Sequence, residues 1–483
     1  MDYQYETAKG SFEASFDSLY RFTCPQWFRD AKFGIWSHWG PQSVPMYGDW
    51  YARNMYVEGS PQYLYHLRTY GHPSRVGYKD IVRLWKAEHF NPGELMKRYK
   101  KAGAGYFVAQ AMHHDHFFNY ASARNPYNSV NYGPEKDIVG LWREAALKEG
   151  LVFGLSEHHG ASFEWFSTNK LCDTKGPMKG VPYDGRGPEW KGFYHDNAFT
   201  VEPGYVRHHY TWDRRWYPVW YEDVKEAVDK YEPELLYSDG ALPFYRSNAD
   251  VTDPAWLPGL SMAAHLYNSS EAKYGENRSV YLHKDKREEY HRIGALDFER
   301  STDREIRERP WQTDTCLGNW FYDVRAEYKS ARQVTDLLVD VVSKNGNLLL
   351  NIPQRPDGAL DEECSYILDG IGRWMEINGG GIRGTRPYLV SGEGVTETEA
   401  EKETAWTPYD VRYTAKENTV YAFLMGRPHT AALHCLRNAS SVKSVELLGY
   451  GKLAFSADMG ILTAALPEGF EPEGACCLKI AFV

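Results

Sequence analysis

The sequence predicts an α/β fold: a (β/α)₈ TIM-like barrel over residues 1–387, followed by a small C-terminal β-sandwich over residues 388–483. Eight short apolar strands, with helical patterns between most of them, indicate the barrel. The sequence pattern changes beyond Arg386. There, short runs of alternating apolar and polar residues are separated by Gly, Asn and Pro, which indicates the sandwich. A chain of 483 residues is long enough for one large domain and a smaller one.

The strand on which the prediction depends most runs through Pro233–Gly240. Its apolar residues lead straight into Asp239 and Gly240, so we predict a buried strand that ends abruptly. A strand that is apolar on both faces is what a parallel sheet covered by helices requires. We predict the eight strands of the barrel within the segments 32–40, 105–111, 151–155, 233–240, 279–283, 294–300, 310–316 and 346–353.

The strongest predicted helix spans residues 329–344, where Val334, Leu337, Leu338 and Val341 recur at helical spacing. Residues 41–80 are rich in Tyr, Pro and Gly and predict a long loop. Residues 167–205 are rich in Gly, Pro and Lys and predict an excursion over the surface. The other helices of the barrel are predicted at 91–101, 137–149, 218–230, 250–273 and 361–377.

The composition argues against a nucleic-acid or membrane partner. The formal net charge is −10, and phosphate binding depends on Lys and Arg. No run of about 18 apolar residues exists that could span a membrane. Aromatic residues make up 15% of the chain, with 16 Trp and 36 Tyr. Core packing explains many of them, but sugar rings also stack on aromatic side chains, so a carbohydrate substrate is favoured.

The cysteines and the amino terminus give two further expectations. The 7 cysteines include no pair with CxxC spacing, so we expect free thiols and no zinc site built from cysteine. The segment Met1–Glu6 has no basic region followed by an apolar stretch, so no signal peptide is visible. We therefore expect a cytoplasmic protein, although an exported chain whose signal had been removed would show the same sequence.

Polar residues that can do chemistry follow five of the predicted strands. In a barrel of parallel strands the carboxyl ends meet on one rim, so we expect these side chains to lie close together. They are His38 after the first strand, His113 and His114 after the second, Glu157 and His158 after the third, Asp239 after the fourth and Glu299 after the sixth.

Two interpretations of this cluster compete. Histidines and carboxylates are ligands of zinc and iron. They also suit a hydroxyl-rich substrate on which two carboxylates act as nucleophile and acid/base. The sequence lacks the HExxH spacing, and we expect no metal and no cofactor. Taken alone, Asp239 could merely cap a helix, and His113-His114 could be a surface turn.

Five motifs in this order resemble the α-L-fucosidases of glycoside hydrolase family 29, over about residues 27–387. The resemblance implies a distorted (β/α)₈ barrel followed by a β-sandwich, and a retaining glycosidase. The motifs are FGIWSHWG at Phe33–Gly40, HHD at His113–Asp115, YSDG at Tyr237–Gly240, SKNGNLLLNI at Ser343–Ile352, and Asn378-Gly379 followed by GTRP at Gly384–Pro387.

The resemblance also implies roles for individual residues. Asp239 matches the family's nucleophile, and His38, His113 and His114 match its fucose-binding histidines. Three matches are less close. Asp49-Trp50 stands where the family often has Glu-Trp, His158 stands in a region that is often Tyr-Tyr-Ser, and Tyr237 stands where a Trp commonly precedes the nucleophile by two positions.

The acid/base residue is the variable part of this family. Glu299 lies 60 positions after Asp239, and Asp297–Arg300 resembles the motif of one subgroup, so we expect Glu299 to act as acid/base. Glu288 and Glu289 are its rivals. Trp311 and Trp320 resemble the family's aromatic residues near the sugar, and barrel packing is the alternative for both.

The predicted function is hydrolysis of terminal α-L-fucosyl residues from glycans by double displacement. Two alternatives remain: an α-L-galactosidase on the same scaffold, and a glycan-binding protein without catalytic activity. The expected partner is a fucosylated oligosaccharide or glycoconjugate, and a homo-oligomer is left open.

Overall fold

The computed structural model describes residues 3–195, 211, 213–244, 254–285, 287, 290, 292–398 and 400–483. Eight parallel strands close into a barrel in chain order, because the first strand pairs with the eighth as well as with the second. The predicted (β/α)₈ barrel is therefore confirmed. The strands are β1 (Phe33–Ser37), β2 (Tyr106–Met112), β3 (Val152–Glu157), β4 (Leu235–Ser238), β5 (Val280–His283), β6 (Ala295–Asp297), β7 (Trp311–Cys316) and β8 (Gly346–Asn351).

Several helices of the barrel begin at good capping residues. The side chain of Asn91 accepts a hydrogen bond from the backbone of Glu94, and Asp361 accepts one from Cys364. The α-helices in the described residues are α1 (Phe16–Leu19), α2 (Gln26–Ala31), α3 (Tyr51–Asn54), α4 (Pro61–Thr69), α5 (Tyr78–Leu84), α6 (Pro92–Lys101), α7 (Ile138–Lys148), α8 (Ser162–Trp165), α9 (Lys191–Tyr194), α10 (Trp216–Tyr231), α11 (Leu257–Tyr274), α12 (Ala331–Ser343) and α13 (Glu362–Asn378). No helix among them is long and apolar enough to cross a membrane.

One loop prediction was wrong. Residues 41–80 contain α3, α4 and part of α5 rather than a long loop. Their tyrosines are the reason, because Tyr51, Tyr56 and Tyr63 are buried and hold these short helices in place.

The predicted surface excursion over residues 167–205 is described as far as residue 195, and residues 196–205 lie outside the described residues. Lys175, Gly176 and Lys179 are exposed, as a surface excursion requires, while Trp190 and Phe193 are buried and anchor the segment to the fold.

The interior of the barrel is apolar toward its amino-terminal end and polar toward the rim. Gly34 on β1 is packed against Tyr106 on β2 so closely that an added Cβ would lie 2.3 Å from the ring. The hydroxyl of Tyr106 donates to Gln312 on β7 at 2.7 Å, which begins a hydrogen-bonded column of side chains that rises toward the rim. The floor of the site is thus built inside the barrel.

The C-terminal domain consists of two antiparallel sheets that enclose a small apolar core. Six strands pair in the order β14-β13-β17-β11-β10-β9, and three pair in the order β12-β16-β15. The predicted β-sandwich is confirmed. The strands are β9 (Arg386–Glu393), β10 (Val411–Lys416), β11 (Thr419–Leu424), β12 (Thr430–Leu433), β13 (Val442–Leu447), β14 (Gly451–Leu453), β15 (Phe455–Asp458), β16 (Ile461–Ala465) and β17 (Cys476–Phe482).

A buried ion pair joins the two domains. Arg412 on β10 donates to Oδ1 of Asp340 on α12 at 2.7 Å, and Lys344 donates to the other oxygen at 2.7 Å. The side chain of Asp340 is fully buried. The seven cysteines, all within the described residues, are free thiols, as expected.

Candidate active site

Asp239 lies at the carboxyl end of β4, at the rim of the barrel. Its backbone N–H donates to the carbonyl of Glu157 on β3 at 2.8 Å, which fixes where the side chain begins. Oδ1 accepts a hydrogen bond from Nζ of Lys284 at 2.7 Å, and Oδ2 lies 3.2 Å from Nδ1 of His158. The carboxylate is 13% exposed, so it is accessible from one side only.

Glu299 is held close to Asp239 by the same lysine. Nζ of Lys284, which directly follows β5, also donates to Oε2 of Glu299 at 2.8 Å. Because contacts of 2.7 Å and 2.8 Å meet at one nitrogen, the two carboxylate oxygens lie no more than about 5.5 Å apart. Glu299 is 44% exposed, so its free oxygen can meet a group that enters from solvent.

The charges around Asp239 keep it ionised. Burial alone would raise the pKa of this carboxyl, but Lys284 and the nearby His158 outweigh burial and hold the pKa well below its ordinary value. Burial lowers the pKa of Lys284, and the surrounding carboxylates, Asp239 first among them, more than reverse this and hold it well above its ordinary value. The pair therefore carries opposite charges across a wide pH range.

Two further carboxyls lie beneath Asp239 and Glu299. Tyr237 donates to Oδ2 of Asp314 at 2.8 Å and lies 3.2 Å from Oδ1 of Asp297, while Gln312 donates to Asp297 at 2.6 Å. Asp314 also lies 3.4 Å from Lys284. Burial is the main reason that the pKa of each acid is raised, and in Asp297 the neighbouring Asp314 adds to it. Tyr237 thus forms part of the floor and is fully buried.

His38 is oriented by Asn351 at the end of β8. Nδ2 of Asn351 donates to the carbonyl of Trp320 at 2.9 Å, so its Oδ1 is free to accept from Nδ1 of His38, also at 2.9 Å. This assigns the proton of a neutral His38 to Nδ1. Nε2 then faces Asp239 at 3.9 Å and can accept a hydrogen bond from a hydroxyl group.

His113, His114 and His158 form a compact cluster beside Asp239. The rings of His113 and His114 lie 3.8 Å apart, and the ring of His114 stacks on Trp165 at 3.7 Å. Burial, reinforced by His38 and His158, holds the pKa of His113 well below its ordinary value. A neutral imidazole both donates and accepts a hydrogen bond, which suits sugar hydroxyls.

The loop after β1 brings Asp49 and Trp50 to the same side of the site. Trp50 adopts φ 60°, in the left-handed region that is uncommon for residues other than glycine, and its ring lies 6.1 Å from His114. Burial raises the pKa of Asp49 to about 6, and the charges of His38 and Asp239 also act on it. The structure therefore places both residues next to the histidine cluster.

The two predicted tryptophans are in different places. Trp320 lies at the rim, where its ring is 5.1 Å from His38 and 4.9 Å from the guanidinium of Arg300. Trp311 lies at the amino-terminal start of β7, fully buried in the layer outside the barrel, and donates to the carbonyl of Lys344 at 2.8 Å. The structure does not bring Trp311 to the site; it packs the barrel, which was the alternative interpretation.

Glu157, on the predicted rim, turns away from the site. Its Oε2 accepts hydrogen bonds from the backbone of His159 and from the indole of Trp220. The rivals Glu288 and Glu289 lie outside the described residues.

The site also contains two groups of side chains that could hold a metal ion. Nitrogen atoms of His113, His114 and His158 lie within 4.8 Å of one another, and so do ligand atoms of His38, His113 and Asp239. Such donors suit zinc as well as sugar hydroxyls. The geometry alone therefore keeps both interpretations of the cluster open.

Lys284, Asp314, Asn351 and Trp165 are the residues of the site that the sequence analysis missed. Lys284 directly follows the predicted strand 279–283, so applying the strand-end argument to this fifth strand would have found it. Asp314 lies at an inward position of β7, where an acid inside an otherwise apolar barrel is an unusual signal. Asn351 and Trp165 act through tertiary contacts and have no such signal.

Comparisons with known proteins agree with the geometry. A family model described as Alpha-L-fucosidase matches residues 1–380, and one described as Alpha-L-fucosidase C-terminal domain matches residues 404–481. The chain is 27% identical over 482 residues to the tissue alpha-L-fucosidase of Rattus norvegicus, covering 95% of this chain and 90% of the relative. It is 27% identical over 452 residues to that of Homo sapiens, covering 90% and 83%.

Solved structures match over almost the whole chain. The crystal structure of Thermotoga maritima alpha-fucosidase in complex with fucose has a TM-score of 0.73 at 24% identity and covers 97% of this chain and 99% of that one. The same enzyme in complex with a mechanism-based inhibitor has a TM-score of 0.74 at 25% identity and covers 97% and 100%.

Proposed function

We propose, from the premise that this chain belongs to the α-L-fucosidase family, that it hydrolyses terminal α-L-fucosyl residues of glycans with retention of anomeric configuration. The spacing of Asp239 and Glu299 carries this proposal. Retaining glycosidases hold their two carboxyl groups about 5–5.5 Å apart, whereas inverting enzymes need about 6.5–9.5 Å to admit a water molecule. The upper bound of about 5.5 Å between the bridged oxygens supports retention.

In the first step Asp239 attacks the anomeric carbon of the fucosyl residue. The carboxylate forms a bond to this carbon while the bond from carbon to the glycosidic oxygen breaks, and protonated Glu299 gives its proton to that oxygen. The lowered pKa of Asp239 supports its role as the ionised partner, and the solvent-exposed oxygen of Glu299 supports its role on the leaving-group side.

In the second step water releases the sugar. Glu299, now a carboxylate, takes a proton from a water molecule whose oxygen attacks the anomeric carbon, and the ester bond to Asp239 breaks. The proton that Glu299 lost in the first step is thereby restored, and fucose leaves with its original configuration. Lys284 contacts both carboxyl groups, so we assign it the role of holding Asp239 and Glu299 at a fixed separation.

The histidines provide hydrogen bonds for the sugar hydroxyls. Nε2 of His38 is an acceptor aimed into the site, and His113, His114 and His158 line its other side. Trp50 and Trp320 supply aromatic surface on two sides of the cluster. We propose that Asp49 contacts a hydroxyl at the outer edge, where its side chain is half-buried.

A substrate panel tests the proposal. The purified chain is assayed with 4-nitrophenyl α-L-fucoside, 4-nitrophenyl α-L-galactoside and 2′-fucosyllactose, and the first-formed anomer of the released sugar is followed by NMR. We expect hydrolysis of the fucosides, with α-L-fucose appearing before the β-anomer.

Each other outcome contradicts a defined part of the proposal. β-L-fucose as the first product would mean inversion. Faster turnover of the galactoside than of the fucoside would favour the α-L-galactosidase alternative. Binding of fucose without turnover of any substrate would favour the glycan-binding alternative.

A further inference from the structure

A cavity of about 520 Å³ lies between the barrel and the C-terminal domain, outside the site described above. One wall is the segment Arg300–Arg304 that follows the candidate acid/base residue. The other is formed by residues 391–398, Ala400 and Glu401, from the end of β9 onward. The volume is in the range of cavities that bind small ligands. The cavity begins one residue after Glu299, the candidate acid/base residue.

Arg300 connects this cavity to the candidate active site. Its guanidinium lies 4.9 Å from the ring of Trp320, and Trp320 in turn lies 5.1 Å from His38. The same guanidinium lies 3.5 Å from Oε2 of Glu401, a residue of the opposite wall. Arg300 adopts φ 49°, and such conformations in residues other than glycine are concentrated at functional sites.

The wall from the C-terminal side is firmly attached to the rim. Glu401 accepts a hydrogen bond from Oγ1 of Thr315 on β7 at 2.6 Å. It also lies 3.3 Å from Nζ of Lys329, which donates to the carbonyl of Cys316 at 3.0 Å. The loop thus meets the carboxyl end of β7, and the cavity keeps its shape close to the catalytic pair.

The charges around the cavity indicate the kind of ligand. Each basic residue that lines it is already paired: Arg300 with Glu401, Arg304 with Glu397 at 3.1 Å, and Lys344 and Arg412 with Asp340. An anionic ligand would compete with the carboxylates that already neutralise these basic groups, and the pairs of Lys344 and Arg412 with Asp340 are buried.

The uncharged part of the lining is polar. It includes the side chains of Ser301, Thr302 and Ser391. Hydroxyl groups of this kind can donate to and accept from the hydroxyls of a ligand. A neutral, hydroxyl-rich ligand fits this lining better than a charged one.

We propose that this cavity binds the neutral sugar residues of the leaving group while the fucosyl residue is held at Asp239. The C-terminal domain then contributes to the choice of substrate through residues 391–398, Ala400 and Glu401. This inference rests on the proposed function, because it concerns the part of the glycan that the reaction releases.

Filling the cavity tests the inference. Two variants each place a tryptophan at the cavity. Val395→Trp changes a residue of the C-terminal wall that is 93% exposed, and Ser301→Trp changes a residue of the barrel wall. Met459, 98% exposed on the turn between β15 and β16, provides the matched control Met459→Trp. Each full-length variant is assayed with 4-nitrophenyl α-L-fucoside and with 2′-fucosyllactose and 3-fucosyllactose.

We expect Val395→Trp to lower kcat/KM for at least one fucosyllactose by about tenfold while the aryl fucoside value stays within about twofold, because only the larger leaving group needs the cavity. Met459→Trp should change neither. Equal effects of Val395→Trp on both kinds of substrate, or no effect on either fucosyllactose, would overturn the inference. So would a native protein that cleaves the aryl fucoside but neither fucosyllactose. A native protein that does not cleave the aryl fucoside contradicts the proposed function instead, which keeps the two failures distinct.

Discussion

Nζ of Lys284 lies 2.7 Å from Oδ1 of Asp239, and this contact offsets the burial of the carboxylate. The same nitrogen reaches Glu299, so a single cation joins the two groups assigned to the double displacement. In a partly buried site such a contact is stronger than on an open surface. The first prediction concerns this lysine.

Replacing Lys284 by alanine should lower kcat/KM by about 10²-fold at pH 7, because a preorganised charge at the reacting groups is lost. Without Lys284, burial of Asp239 is less opposed, so its pKa rises and the acid limb of the pH profile moves to higher pH. Lys284→Arg keeps the charge and should retain more activity. Lys225→Ala, on the surface of α10, is the matched control. An unshifted acid limb in Lys284→Ala would contradict this role.

Replacing Asp239 by alanine should reduce kcat for the aryl fucoside by about 10⁴-fold or more, because no other group replaces the nucleophile. Far-UV circular dichroism should be unchanged. Added azide should restore turnover and yield the β-L-fucosyl azide, since azide then attacks once from the opposite face. Near-normal activity of the variant without azide would exclude Asp239 as nucleophile.

Replacing Glu299 by alanine should slow 2′-fucosyllactose more than 4-nitrophenyl α-L-fucoside, because a good leaving group needs little protonation. We expect a loss of about 10³-fold on the oligosaccharide, and azide should give α-L-fucosyl azide, the retained product. Glu288→Gln and Glu289→Gln are measured alongside. If either of these shows the pattern expected of Glu299, the acid/base role moves to that residue.

Asp49 should make stability depend on pH. Burial raises its folded-state pKa to about 6, above the ordinary value of 3.8, so between these values the folded state binds the proton more tightly. Its contribution is fully present below the unfolded pKa and is lost as pH rises through about 6. Asp49→Asn should therefore raise Tm by about 2 °C at pH 7.5 relative to the native chain and by less at pH 4. A larger gain at pH 4, measured by differential scanning calorimetry, would reverse the assigned sign.

Zinc should inhibit the enzyme in competition with fucose, because nitrogen atoms of His113, His114 and His158 lie within 4.8 Å of one another. EDTA should reverse the inhibition. His114→Gln should raise the inhibition constant of zinc by about tenfold, since one of three ligands is lost. Inhibition that does not compete with fucose, or that is unchanged in the variant, would show that zinc binds elsewhere.

The barrel could be predicted from sequence because its strands are buried on both faces and appear as short apolar runs. The strand-end rule placed Asp239, His38 and the His113-His114 pair correctly on one rim. Lys284 follows a predicted strand and could have been found in the same way, but its contacts with both Asp239 and Glu299 depend on tertiary geometry that the sequence does not show. The helices within residues 41–80 were hidden because their tyrosines fill the core as apolar residues do while resembling loop composition in the sequence.

The position of Trp311 shows a second limit. A family resemblance indicates that a tryptophan lies somewhere near the sugar. Successive side chains of β7, however, point to opposite faces of the sheet, and this decides whether a given residue reaches the site. Gln312 and Asp314 point into the barrel, so Trp311 points out of it. Strand register, more than residue identity, separates the two tryptophans that the sequence treated alike.

The ion pair between Arg412 and Asp340 determines which pieces of this chain can be exchanged with those of a relative. A chimaera cut near residue 387 whose new sandwich lacks this arginine would leave the buried carboxylate of Asp340 paired with Lys344 alone, and removing one partner of a buried ion pair is destabilising. A workable exchange must carry α12 together with the sandwich, although the two are far apart in sequence. The structural unit that can be exchanged therefore includes α12 of the barrel as well as the sandwich, and it crosses the boundary between the two domains.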